Sequence, residues 1–243
     1  MKIYLKYFLI LNLFSISFIV FGQKDGKNSM INTRIGLSPV IGLYSLNKNH
    51  ALDAKQKMSF CISLKEEIKL SRDNRNFLFV GAEYMLHGLS FKSYFFYADS
   101  LQLYTADRKR FKYDLTIHEI DFPIQIKHSF VNETNSVFSS YIFGGYCYRW
   151  LVASYLKVSE NGNNIINRTE HLTFKIPAFT PVNNSFFNVG IGFQQNKLVK
   201  HKSVFAELQF KYALSPMQIS ESFAPSSLYI NGHFIYITVG FKL

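Results

Sequence analysis

The chain has 243 residues, 17% of them aromatic and 18% charged, with a formal net charge of +11. Its 25 Phe and 15 Tyr favour strands and the interfaces of membranes, and no compact basic motif marks it as a nucleic-acid binder. If the chain is exported, such a surplus would meet the phosphates of lipopolysaccharide and other outer-membrane lipids, with solvated loops and a basic interior as the plainer explanation.

The N-terminus begins Met1-Lys2-Ile3-Tyr4-Leu5-Lys6, continues as an apolar run from Tyr7 to Phe21, and carries Val20 and Gly22 at the −3 and −1 positions of a cleavage site. This is the pattern of a secretory signal peptide over residues 1–22, leaving residues 23–243 as one mature domain. At about 15 residues the run is short of the ~20 needed to cross a bilayer as a helix. No cysteine lies beside the site, which argues against a lipid-anchored lipoprotein.

From residue 34 to the C-terminus the sequence alternates with a period of two, with no convincing amphipathic helix. The first segments cover roughly residues 33–45, 57–70 and 77–92. In the third, Leu78, Val80, Ala82, Tyr84 and Leu86 oppose Gly81, Glu83 and His87. Next, Ile120, Phe122, Ile124 and Ile126 oppose Glu119, Asp121, Gln125 and Lys127. Pro123 donates no N–H to a ladder and predicts a bulge or a local opening that kinks this strand. In residues 138–156, Ile142, Tyr146, Tyr148 and Trp150 oppose Gly145, Cys147 and Arg149. Phe187, Val189, Ile191 and Phe193 oppose Asn188, Gly190, Gly192 and Gln194, whose small residues suit a narrow interior. Val204 to Leu214 sets Glu207, Gln209 and Lys211 on one face. Ile235 to Leu243 sets Tyr236, Thr238, Gly240 and Lys242 against a wholly apolar face.

Eight strands result, and the connections discriminate between architectures. Residues 71–76, 131–137 and 197–202 are short and polar, whereas 46–56, 93–111, 157–184 and 215–228 are longer. Strict alternation of short and long connections belongs to an eight-stranded antiparallel up-and-down transmembrane β-barrel with short periplasmic turns and longer external loops. Within the longest connection, residues 171–177 suit an extension of the hairpin between the fifth and sixth strands.

In such a barrel Glu83, Glu119, Asp121, Lys127, Arg149, Glu207, Lys211 and Lys242 all face inward, where buried charges require partners; a lumenal polar network in a plugged interior is expected. Tyr94, Phe95, Phe96 and Tyr97, with Arg108, Lys109 and Arg110, make the loop after the third strand a candidate contact surface. Cys61 and Cys147 share inner parity and depth but lie three strands apart, a chord on the order of 15 Å against the ~7 Å limit of a disulfide, so both are expected as free, buried thiols. Catalytic, metal-binding and cofactor-binding sets are not legible. His87 and Glu83 lie about 13 Å apart along one strand, and His118 and Glu119 point to opposite sides.

Val80-Gly81-Ala82-Glu83-Tyr84 with His87-Gly88, and then Ile120-Asp121-Phe122-Pro123-Ile124-Gln125-Ile126-Lys127, resemble the PorT-like outer-membrane β-barrel family of Bacteroidota. Gly144-Gly145, Gly190-Ile191-Gly192 and Gly240-Phe241-Lys242 extend the resemblance over nearly the whole mature chain. Asn183-Asn184-Ser185 departs from it, because members often carry an Asp before the sixth strand. The resemblance implies an eight-stranded barrel in the cell outer membrane and a relation to a protein secretion apparatus. The expected function is non-enzymatic, structural or partner-binding. A secretion accessory, a lipid-modifying barrel enzyme and a soluble ligand-binding barrel are the alternatives.

Overall fold

The structure, a computed structural model, describes residues 31–46, 52–93, 111–160, 163–171, 179–181, 185–199, 202–214, 217–219 and 229–243. The expected signal peptide and the loop residues Tyr94 to Tyr97 and Arg108 to Arg110 lie outside the described residues. Eight strands form the wall: β1 (Ile31–Leu46), β3 (Ser59–Lys69), β4 (Asn76–Ser93), β5 (Phe111–Ser129), β6 (Phe138–Glu160), β9 (Ser185–Val199), β10 (Lys202–Ala213) and β12 (Tyr229–Lys242). Each pairs antiparallel with the next, and β12 returns to β1, so the eight-stranded wall closes on itself. Four short strands, β2 (Leu52–Gln56), β7 (Asn163–His171), β8 (Phe179–Pro181) and β11 (Met217–Ile219), extend the wall at the end where the long connections lie. The fold is thus the closed eight-stranded up-and-down barrel expected from the alternation.

The register fixes its width. From Asn32 on β1, one row of paired residues runs through Glu67, Phe79, Gln125, Gly145, Asn188, Lys211 and Phe234, and meets β1 again at Gly42, ten residues further on. A stagger of about 33 Å against a circumference of about 38 Å tilts the strands by roughly 40° and leaves an interior that side chains fill.

The two faces are inverted relative to a water-soluble protein. Outward-facing Ile124, Ile126, Ile191 and Val239 are 56–60% exposed, while inward-facing Glu119, Asp121, Lys127 and Lys211 are 0% exposed. A chain that hides its charges and displays a continuous apolar belt is folded for a hydrocarbon solvent. Inside, aromatic rings lie over glycines of the neighbouring strand: Phe143 occupies the side-chain space of Gly190, and Tyr141 that of Gly192. Any larger residue at either glycine would displace a ring of the packed lumen.

Pro123 opens a ladder locally, as its missing N–H leads one to expect, and one connection is shorter than expected. Pro123 stays in register with Cys147 of β6, but its ladder to β4 opens between Val80↔Ile124 and Glu83↔Asp121. The bulge is elsewhere: His118 pairs with Ala153 and Glu119 with Leu151, leaving Val152 of β6 unmatched. The long hairpin is extended by β7, residues 163–171; of the expected segment 171–177, residues 172–177 lie outside the described residues. The turn between β9 and β10 is also tighter than 197–202, since β9 reaches Val199 and β10 begins at Lys202.

At the short-turn end, the β3–β4 turn places Asn74 at φ 55°, a left-handed conformation that asparagine tolerates. Its Nδ2 donates to Thr134 Oγ1 of the β5–β6 turn at 2.8 Å. The Ser71 hydroxyl donates to Asp73 Oδ1, and the Arg75 N–H approaches the same oxygen at 3.3 Å.

Chiefly through Ser71, these bonds hold the Asp73 carboxyl below its ordinary value. Its contribution is therefore present above the unfolded-state pKa near ~3.9 and lost as pH falls through the lower folded value. A carbon-detected NMR titration is expected to show the depressed Asp73 midpoint, and Ser71→Ala to return it toward that of a free aspartate. On the outer belt, Ile124→Arg is expected to cost about 2–4 kcal/mol in urea unfolding from lipid vesicles.

Candidate functional site

The interior is organised as two clusters of paired charges. Nearer the short turns, Glu67 on β3 receives three cations: Arg34 Nη1 at 2.9 Å, Lys127 Nζ at 3.0 Å, and Lys242 Nζ. Glu133, from the β5–β6 turn, reaches into the same end of the lumen and contacts Lys127 at 2.5 Å and Lys242 at 3.0 Å. Glu207 on β10 takes the second arm of Arg34 at 2.5 Å and accepts a hydrogen bond from the Tyr141 hydroxyl at 2.8 Å. Arg34 also donates to Gln194 at 3.1 Å and lies over the Phe205 ring, 3.9 Å from its centroid. Three cations thus meet three carboxylates, and their charges cancel.

The second cluster lies toward the long-connection end. Lys211 on β10 bridges Glu83 and, at 2.9 Å, Asp121; Lys65 on β3 meets Glu83 at 2.7 Å. Arg149 on β6 is 2.8 Å from Glu119 and 3.7 Å from Asp121, with its guanidinium 3.8 Å above the Phe186 ring. Here too three cations face three carboxylates. His87 caps the cluster: Nε2 lies 3.2 Å from Glu119, and Nδ1 shares a 2.7 Å hydrogen bond with the Tyr44 hydroxyl. The sheet brings together His87 and Glu119 from adjacent strands, a pairing that distances along one strand do not reveal.

All eight inward charges named from the sequence, Glu83, Glu119, Asp121, Lys127, Arg149, Glu207, Lys211 and Lys242, sit in these clusters. Arg34, Lys65, Glu67 and Glu133 were missed. The first three share the inner parity of their strands, so alternation alone would have found them. Glu133 belongs to a turn, where parity carries no information. Cys61 and Cys147 are free and buried at one level of the lumen, packed with Val40, Met85 and Phe234. Among the described residues no group of three His, Cys, Asp or Glu side chains is placed to hold a metal ion.

The chemistry open to this arrangement is electrostatic cross-linking. Every strand of the wall contributes a charged or hydrogen-bonding side chain to one cluster or the other, so the ion pairs tie together strands far apart in sequence. Burying ions this deeply is favourable only while partners remain. Glu67→Gln, which leaves three cations against two carboxylates, is expected to destabilise the barrel by about 3–5 kcal/mol in vesicle-based denaturant titrations. Combined with Lys242→Gln, the loss should be clearly smaller than the sum of the two single losses.

No protein-family model matches the chain, and no curated protein matches it in sequence. Solved structures do resemble it. The outer membrane protein OprG from Pseudomonas aeruginosa is 12% identical, with 88% of this chain and 94% of that chain covered at a TM-score of 0.52. Neisserial surface protein A is 11% identical, with 88% and 97% covered at 0.38. Ail, the attachment invasion locus protein of Yersinia pestis, is 11% identical, with 88% and 100% covered at 0.32. The similarity to OprG is one of fold: this chain has the closed antiparallel barrel architecture of outer-membrane proteins.

Proposed function

We propose that the protein is an outer-membrane β-barrel of structural or partner-binding type, delivered by the signal peptide of residues 1–22 and closed to solutes by its own side chains. The observation that carries this reading is the pairing of an exposed apolar belt with a lumen whose charges cancel in two clusters. Hydrocarbon is the solvent that such an exterior favours. An interior already occupied by Arg34, Lys127, Tyr141, Lys211 and Phe234, each at most 1% exposed, favours a plug over a water-filled pore.

A non-enzymatic role agrees with the state of the inward histidine. His87 is 1% exposed, with Nδ1 bonded to the Tyr44 hydroxyl and Nε2 3.2 Å from Glu119 inside the lumen, so it is withdrawn from any substrate at the surface. The long connections, on the end remote from the short turns, are the parts left to meet lipopolysaccharide or a protein partner. No cofactor enters this reading.

A second reading, an accessory of a secretion apparatus, rests on the PorT-like resemblance. Glu83, Asp121 and Lys127, which carry much of that resemblance, are engaged in lumenal ion pairs. The shared pattern therefore supports a common way of filling a barrel more directly than a common cargo. Loss of secreted cargo in a deletion strain would favour the accessory role, and normal export would count against it.

Fractionation is expected to recover the mature chain, beginning at Gln23, with the outer membrane, and the folded band should shift on boiling. Purified protein in planar bilayers should give no steady conductance. Recovery from the aqueous periplasm without detergent would overturn the membrane reading, and a stable open channel would overturn the plug.

A further inference from the structure

Between the two ion clusters the lumen changes character. At mid-height the inward positions of β12, β1 and β3 are small: Thr238, Gly36, Ser38 and Ser63. Facing them, β5, β9 and β10 carry three amides, Gln125, Asn188 and Gln209, which are 1%, 0% and 2% exposed. Gly145 stands between Gln125 and Asn188 in one row of the register, so β6 places no side chain between the two. Gln209 pairs with Gly190, two residues along β10 from Lys211, which belongs to the same row as Asn188. With strands tilted by roughly 40°, the three amides fall within about 6 Å of one another in height.

The hydrogen bonding of these amides is incomplete. Lys65 Nζ donates to Gln125 Oε1 at 3.4 Å, but Gln125 Nε2 has no hydrogen-bond partner among the described residues, nor has Gln209 Nε2, nor either polar atom of Asn188. Across the lumen the Ser38 and Thr238 hydroxyls bond each other at 2.7 Å rather than an amide. Left unbonded, four buried polar atoms would each bear the full loss of their hydration.

From this waist we infer a buried binding site for a cluster of water molecules, held by Gln125, Asn188 and Gln209 against the small side chains opposite. Water offers both donors and acceptors, and it settles where a polar recess supplies several partners. A neutral guest suits the electrostatics. The amides carry no charge, and the ion pairs on either side set three cations against three carboxylates at each level. Arg34 and Lys127 toward the short turns, and Asp121 and Lys211 toward the long connections, are each at most 1% exposed and separate the site from both mouths. That separation rests on the closed-lumen reading above; the demand of the amides for partners does not.

The test uses the full mature chain, folded in detergent micelles with isotope-labelled Asn and Gln side chains. Water-selective NMR is expected to show cross peaks from water to the side-chain NH2 groups of Gln125, Asn188 and Gln209. Oxygen-17 relaxation dispersion should detect water held far longer than surface hydration, a signal that proton exchange from Ser63 or Thr238 does not mimic. Asn188→Leu, which removes two partners, is expected to lose the cross peak at Gln209 and to lower the urea midpoint in vesicles, whereas Asn188→Ser keeps the cross peak. Absence of the cross peaks in the wild type overturns the proposal. So does a raised midpoint for Asn188→Leu, because a dry, unbonded amide is better replaced by an apolar group of its size. Loss of the cross peaks on adding bromide overturns it in favour of an anion. If the leucine variant fails to show the heat-modifiable band, the wild-type and serine spectra still decide the outcome. Conductance is read separately. Steady conductance with rapid exchange of this water would refute the closed lumen itself, whereas a non-conducting barrel without long-lived water would refute only this site.

Discussion

Closure of β12 onto β1 is the constraint from which the other features follow. In hydrocarbon an unpaired backbone N–H or C=O has no water to turn to, so the sheet must end where it begins. Closing eight strands with a stagger of ten residues fixes the tilt and leaves a narrow interior. Side chains must occupy that interior, and alternation places there the inward charges together with apolar and aromatic residues such as Phe79, Met85, Leu115 and Phe234. Buried charge then requires compensation, which the two balanced clusters supply.

The clusters differ in how they bind the wall together. Glu67 is a hub for cations drawn from the first, fourth and last strands of the barrel, so its contacts span the closing seam. Around Lys211 and Arg149 the bridging runs between β4, β5, β6 and β10, with aromatic rings beneath the guanidinium. Arg34 and Arg149 both stack on rings while pairing with carboxylates, a use of the planar guanidinium that an ammonium would not reproduce.

Much of this was legible in the sequence because barrel strands obey a period of two. Lys211 and Asp121 could be assigned to the interior before any pairing was known, and the alternating lengths of the connections separated a membrane barrel from a soluble sandwich. What alternation does not contain is register. The meeting of His87 with Glu119 depends on which residues of β4 and β5 stand opposite, and the unmatched Val152 depends on how β5 and β6 slide past each other. Glu133 escaped for a different reason: a turn residue enters the lumen by folding under it. Pro123 was readable in kind, as an opened ladder, but its neighbour β6 keeps pairing with it, so the irregularity is confined to one side.

The reach of Glu133 bears on how the barrel is completed. Lys242 stands on the last strand and supplies the third cation of a group whose carboxylates come from β3, β10 and a turn. Before β12 docks, Glu67, Glu133 and Glu207 share Arg34 and Lys127 alone, and an unsealed sheet keeps an uncompensated negative charge facing its own interior. Arrival of the final strand neutralises that charge at the same moment that it satisfies the backbone seam. Electrostatics and hydrogen bonding thus favour the same end state, and half-assembled sheets are penalised twice.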